Sequence, residues 1–462
     1  MVLGFNLFFV FSFTVFLMLW HMVLPYTVGM GGIILGAYLG WRYKKGKLSI
    51  QDVIFALGFI FNLWYVVSLD INVRQYDYFN FFMQAFYFVE NDFFIDGPLG
   101  YLKSAYYQPP FFAGIAGVIT KIGMLFGMTR EEGFDEARFI SLFAVSGVYV
   151  IYWRFLNLFK FDKKVMLWVY AGFVFLSFHT ILSGLNNNDA LVYFFMVMIL
   201  YKGYLWYCDA SLENAFKVSL FVMLAGMTKF SGLMMMAYLG MLGLALLIER
   251  KNKFDAKLWG EFLVIGLGGI IGFGWGIFLL MHGVGLVPPP QSADYQLMSE
   301  YSIWQRLSDF SNINILFADV RNGVIEPNVW LSLIKTSIFG EWVWENVVFS
   351  YILYVINILF AVFFVYSFGG VFKYKIGNDF GLNLAVIVSV VAVLISWAMF
   401  WFKFPYFCST EFRYVAILMP FGFLWLANFL TQKKLPKWGN VTLAVLSVLF
   451  VFAKVIVYLS TI

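Results

Sequence analysis

Five carboxylates crowd into one stretch of the chain, Asp70, Asp77, Glu90, Asp92 and Asp96, all between residues 70 and 110. The same stretch is dense in Phe and Tyr. Acids set among aromatics suit a loop lying against a membrane face, where aromatic rings settle at the headgroup level. A carboxylate held partly out of water, with a cation nearby, can serve as a proton acceptor. Asp77, in Arg74-Gln75-Tyr76-Asp77-Tyr78-Phe79-Asn80, matches that setting best and reads as the working carboxylate of a catalytic loop. Asp70, Glu90, Asp92 and Asp96 compete with it, and a solvated loop acid is the plain alternative for each.

Other polar groups interrupt apolar runs further along. Tyr107-Gln108-Pro109-Pro110 reads first as a turn opening a helix, since Pro suits the first helical turn, and second as a pocket wall. Asn186-Asn187-Asn188-Asp189 is either a helix cap or a site for a hydroxyl-rich ligand or a metal; one Asn or Asp would suffice as a cap. Lys229, in Thr228-Lys229-Phe230-Ser231-Gly232, could snorkel from a span end or hold a lipid phosphate. Glu341 stands beside Trp342 and Trp344, and Glu411 stands two residues before Arg413, the side chain whose planar fork best matches phosphate. His21, His179 and His282 make no metal-ligand spacing, and there is no Walker loop, GxSxG elbow or paired CxxC.

The elements that must carry these residues are membrane spans. The 462 residues are 62% hydrophobic and only 12% charged, with a mean hydropathy of +0.82. Soluble proteins carry about 25% charged residues, so a water-facing surface for this chain is excluded and an all-α polytopic membrane protein is expected. The net charge of +5 resides in short loops between spans, which argues for topology and against nucleic acid. Apolar runs over roughly 5–24, 26–41, 53–69, 139–152, 165–182, 190–207, 217–227, 233–248, 258–281, 347–368, 382–402, 414–430 and 441–459 give about thirteen spans. Arg42, Lys44, Lys45 and Lys47 place the loop before the third span in the cytoplasm, so 70–137 becomes an outer loop. The run 110–128 fits better as an interfacial helix than as a span, because a span there would put the acids of 129–138 inside and the lysines of 160–164 outside. Cys208 and Cys408 fall on opposite sides in this topology, which argues against a disulfide. The polar constellations named above then share the outer side, as a common pocket requires.

At this point the residues resemble those of the GT-C membrane glycosyltransferases, in particular the family 39 group of protein O-mannosyltransferases and aminoarabinose transferases, and most closely its bacterial family-39-like members. The resemblance rests on Gln75-Tyr76-Asp77, Gln108-Pro109-Pro110, Asn187-Asn188-Asp189-Ala190, Thr228 to Gly232, Phe339-Gly340-Glu341 and Glu411-Phe412-Arg413-Tyr414, in order from about residue 51 to residue 430. The chain departs from the pattern where Tyr76 and Gln108 replace histidines and where Asp77-Tyr78 replaces an Asp-Glu pair. Residues 1–50 lie outside it as two extra transmembrane helices, leaving 51–462 as the catalytic module with outer loops 70–137 and 282–346.

The resemblance implies a GT-C fold with juxtamembrane helices in the first outer loop, in an integral plasma-membrane protein. It also implies transfer of a sugar from a polyprenyl-phosphate donor to an acceptor hydroxyl on a lipid, glycan or protein, outside the cytoplasm and with inversion. Asp77 would be the general base, and Lys229 and Arg413 would hold the donor phosphate. Tyr107, Gln108, Asn188, Asp189, Glu341 and Glu411 would line the substrate. No cofactor is required, and an acid-bound divalent metal is compatible with the scheme. A lipid or glycan transporter, or a noncatalytic scaffold of envelope assembly, are the competing readings. A transporter would put its ionisable groups near the bilayer midplane, often within repeated halves.

Overall fold

The computed structural model describes residues 4–24, 26–71, 73–75, 77–90, 107–249, 256–283, 285–286, 301–311, 313–317, 328–342, 344, 346–370, 373–405, 407–433 and 435–460. Tyr76, Asp92, Asp96 and parts of both expected outer loops lie outside these residues. Among the described residues the regular structure is all helical. The first seven helices are α1 (Leu7–His21), α2 (Thr27–Lys44), α3 (Ile50–Ser68), α4 (Tyr78–Glu90), α5 (Phe111–Leu125), α6 (Arg130–Asp135) and α7 (Arg138–Leu156). Next come α8 (Lys163–Val174), α9 (Ser177–Gly184), α10 (Asp189–Cys208), α11 (Leu212–Thr228), α12 (Met235–Glu249), α13 (Ala256–Gly272) and α14 (Gly274–Met281). The last are α15 (Ile303–Ser308), α16 (Val329–Ile338), α17 (Val347–Gly369), α18 (Phe380–Lys403), α19 (Leu418–Lys433) and α20 (Lys437–Leu459).

Every apolar run expected to span falls on a helix or a bent pair of helices. By length and composition, seven helices among the described residues can cross a bilayer, or nine if α8–α9 and α13–α14 each count as one broken span. The remaining expected spans are α1, α11 and α19, with 15, 17 and 16 residues, and α2, whose 18 residues are diluted by glycine and by Arg42 and Lys44. A bilayer core takes about 20 helical residues, so these four are short for a straight crossing. The run after Pro110 is α5, a 15-residue apolar helix.

The chain divides into two compact units. The first comprises Met1–Leu158, Leu182–Ser292 and Phe380–Ser389; the second comprises Phe159–Ile181, Ala293–Asp379 and Val390–Ile462. In the first unit, α7 and α10 are buried almost all round and pack on each other, so α7 and α10 form its core. Gly147 permits the approach, because a β-carbon there would meet the Phe194 ring at 2.7 Å. The pair α11 and α13 closes still more tightly. A β-carbon on Gly268 would lie 2.4 Å from the Ser219 carbonyl oxygen, and the Ser219 hydroxyl donates to the Val264 carbonyl at 2.7 Å. Small residues at helix contacts are the usual route to strong packing where water supplies no driving force.

Helices α1 and α2 are tied into this unit. Asp52, fully buried at the start of α3, accepts from the Gly4 amide at 2.6 Å and pairs with Arg42 at 3.1 Å. At the other end of α1, His21 meets Glu136 at 2.7 Å.

In the second unit, α8 packs on α19 and α17 packs on α19 and α20. Where α8 stops, the buried Lys454 of α20 donates to the carbonyls of Phe175 at 3.2 Å and Leu176 at 3.3 Å. The Phe175 carbonyl lies just past the last turn of α8, whereas the Leu176 carbonyl also accepts from the His179 N–H at 3.1 Å as α9 begins, and a donor at a helix C-terminus suits its dipole.

Candidate functional site

The first unit gathers four of the residues that sequence reading nominated. Asn188 stands at the start of α10 but makes no side-chain cap. Its amide instead donates to Gln108 Oε1 at 3.1 Å and to the Thr228 carbonyl at 2.9 Å. Asp189 is ion-paired with Lys229, which sits at the break after α11. Asn187 braces the acid from both sides: its Nδ2 donates to Asp189 Oδ2 at 3.1 Å, and its side-chain Oδ1 accepts from the Asp189 backbone N–H at 3.0 Å. Gln84 of α4 extends the run by donating to the Gln108 carbonyl at 3.1 Å. Pro110 occupies the cap position of α5, so the Pro-Pro turn both opens that helix and sets Gln108 against Asn188. Tyr107 lies half-buried one residue earlier.

Asp77 lies in the same unit, exposed, immediately before α4. Its φ is +55°, and Arg74 has φ +53°; both are left-handed without being glycine. Asp enters that region more readily than most residues, whereas Arg there costs about 1–2 kcal/mol and must be held by its surroundings. The holding groups are plain. Leu69, at the end of α3, has its carbonyl bound by Arg138 Nη1 at 2.8 Å. Gln75 is buried; its Nε2 donates to the Gly184 carbonyl at 2.8 Å, and its Oε1 accepts from the Asn186 N–H at 2.7 Å. Asn186 in turn donates to the Phe134 carbonyl at 2.8 Å. The next residue after Asp77, Tyr78, turns inward against Phe134 with ring centroids 5.2 Å apart. Burial pushes its phenol well above the ordinary range, and the Asp135 carboxylate adds to the effect, so Tyr78 stays protonated and is no substitute for a second acid.

The second unit holds Glu341, Glu411 and Arg413. The Arg413 guanidinium lies 2.6 Å from the Glu411 carboxylate, and both side chains are at most 4% exposed. Helix α16 straps their segment down, for Thr410 donates to the Ser332 hydroxyl at 2.9 Å and the Phe412 N–H donates to the Thr336 hydroxyl at 2.8 Å. Lys335, on the same face of α16, is buried as well. Glu341 is buried just past Gly340, whose φ of +65° favours glycine. Trp344 folds back to donate to the Phe339 carbonyl at 3.0 Å.

Sequence reading named Gln75 only within Gln75-Tyr76-Asp77 and gave it no role, and it did not find Arg138 or Lys335. Asn186 was visible only as one of three neighbouring amides. A signal for Lys335 was present in Leu331-Ser332-Leu333-Ile334-Lys335-Thr336, whose polar residues recur at helical spacing on one face. Among the described residues no three His, Cys, Asp or Glu side chains are grouped as metal ligands. The first unit presents an exposed carboxylate able to accept a proton and, in Lys229, an acid-paired cation suited to an anion; the second unit by itself holds another such cation, Arg413.

No family model matches the sequence, and no curated protein matches it. Among solved structures, the apo crystal structure of the Archaeoglobus fulgidus oligosaccharyltransferase is similar, with 12% sequence identity and a TM-score of 0.42. The alignment covers 88% of this chain and 55% of that one, so the chain spans little more than half of that enzyme's length.

Proposed function

We propose that the protein is an integral-membrane glycosyltransferase of the GT-C kind, moving a sugar from a polyprenyl-phosphate donor to an acceptor hydroxyl on the extracytoplasmic side. The observation that carries this reading is the segment Asn186 to Asp189. At one end it is hydrogen-bonded to Gln75, two residues from the exposed Asp77; at the other it carries the Asp189–Lys229 pair. A proton acceptor and a cation therefore hang from one short turn of the first unit.

In this scheme Asp77 accepts the proton of the acceptor hydroxyl as its oxygen attacks the anomeric carbon. The bond from that carbon to the phosphate oxygen breaks on the opposite face, which inverts configuration. Lys229 neutralises the departing lipid phosphate, and the sequence resemblance gives Arg413 the same task. A lysine carries three donors and an arginine five, so each can keep its acid and still bind a phosphate oxygen. Asp189 orients sugar hydroxyls, with Tyr107, Gln108 and Asn188 along the wall, and the sequence resemblance adds Glu341 and Glu411 as substrate-binding groups. An acid-bound divalent ion is compatible with the scheme and no step is routed through one.

The test uses the full-length protein in proteoliposomes carrying a radiolabelled polyprenyl-phosphate hexose and an extract of envelope lipids and glycans. Appearance of label on a non-donor product supports the proposal. Movement of the labelled lipid across the bilayer with no such product identifies a transporter, and neither result over a panel of sugars points to a scaffold.

A further inference from the structure

We infer that Gln75 is a positioning residue that sets where Asp77 stands by clamping its turn to the Asn186–Asp189 turn. This rests on the reading of Asp77 as the base. Three features converge on it. Gln75 is only 2% exposed although it lies in a turn that exposes Asp77 and in which Arg74 and Asp77 both adopt left-handed backbone. Both ends of its amide are used, and in opposite senses: the NH2 group donates to Gly184 and the oxygen accepts from Asn186. The receiving turn is itself fixed, by the Ser141 hydroxyl on the Leu185 carbonyl at 2.6 Å and by Asn186 on Phe134. It also fits against α3 without slack, since a β-carbon on Gly184 would meet the Tyr65 ring at 2.8 Å and Leu69 at 3.0 Å.

Only an amide of this length meets both requirements. Glutamate supplies the acceptor but faces the Gly184 carbonyl with no donor; leucine supplies neither; asparagine is one methylene short. A turn with two left-handed residues and no clamp would relax toward ordinary backbone angles and carry Asp77 with it. The left-handed backbone before α4 is thus held by a side chain that touches no substrate, together with the contact of Arg74 on the buried Tyr65.

The experiment measures amide hydrogen exchange of residues 77–90 and 184–192 in the full-length protein in nanodiscs, with α11 as an internal reference. Turnover of a synthetic polyprenyl-phosphate hexose is followed in parallel. Losing two hydrogen bonds should speed exchange of the amides after Asp77 by at least about tenfold in Gln75→Leu, and by less in Gln75→Glu, with α11 unchanged. Turnover should fall about 10–100-fold in kcat with KM held, as for a misplaced reacting group. Unchanged exchange in both variants overturns the inference. If α11 also accelerates in Gln75→Leu, the near-isosteric Gln75→Glu decides on the same criterion. A wild-type protein that shows the clamp in exchange yet transfers no sugar would sink the glycosyltransferase reading and leave the clamp standing.

Discussion

The two acid–cation pairs make an informative contrast. Lys229 and Asp189, in the first unit, keep side-chain exposures of 16% and 7%, and sit at a helix break ringed by the amides of Asn187, Asn188 and Gln108. Arg413 and Glu411, in the second, are 4% and 2% exposed and are strapped to α16 through Ser332 and Thr336. The first pair joins a flexible ammonium to a carboxylate within reach of water, so it can reorganise cheaply. The second is a rigid guanidinium in a dry setting, where separating the charges would leave each without solvent. Of the two cations, Lys229 is therefore the one able to swing toward an anion, while Arg413 offers a fixed guanidinium. Each cation nominated for phosphate is already committed to an acid nominated for sugar, which makes each pair close to neutral at rest.

The contrast can be broken by removing one partner at a time. Glu411→Ala should be the most damaging, since it leaves Arg413 buried beside a void; a loss of about 3–5 kcal/mol is expected, read as a lowered thermal-shift midpoint and poor recovery from detergent. If Glu411→Ala behaves like a surface change, the second pair is not the rigid element described here. Asp189→Asn should cost about 1–2 kcal/mol, because Lys229 can turn toward water and the neighbouring amides. Its signature should lie instead in donor binding, with a raised KM for the lipid-phosphate substrate. Lys217 and Glu213, the exposed pair near the other end of α11, give the baseline: Lys217→Ala should change stability by no more than about 0.5 kcal/mol. A ranking other than Glu411, Asp189, Lys217 would show that burial does not set the order.

Much of the fold was legible because lipid imposes a hard rule on composition. The apolar runs had to be helices, since no other local structure satisfies its own backbone in a bilayer, and each run is a helix or a bent pair of helices. The breaks in α8–α9 and α13–α14 were not legible, because no proline marks them; the first is made good by Lys454, a residue nearly 280 positions away. The site divides in the same way. Gln108, Asn188, Asp189 and Lys229 stood out as polar groups amid apolar sequence, and burial then forced them to find one another. Gln75 and Arg138 stood out much less, because what defines them is a distant backbone carbonyl, Gly184 for one and Leu69 for the other, and no spacing encodes such a partner. Nor did the sequence announce that Asp77 would be left-handed, since glycine is the usual mark of that region and none is present.

The most direct measurement is the turnover of Asp77→Asn, a change that keeps shape and the capacity to accept a hydrogen bond but removes the base. With labelled polyprenyl-phosphate hexose and the wild-type acceptor pool, the expected result is a fall of about 10²–10⁴-fold in kcat, with donor KM and thermal midpoint unchanged. Transfer at the wild-type rate by a folded Asp77→Asn protein would contradict the assignment of Asp77 as the base, and with it the mechanism built on that residue.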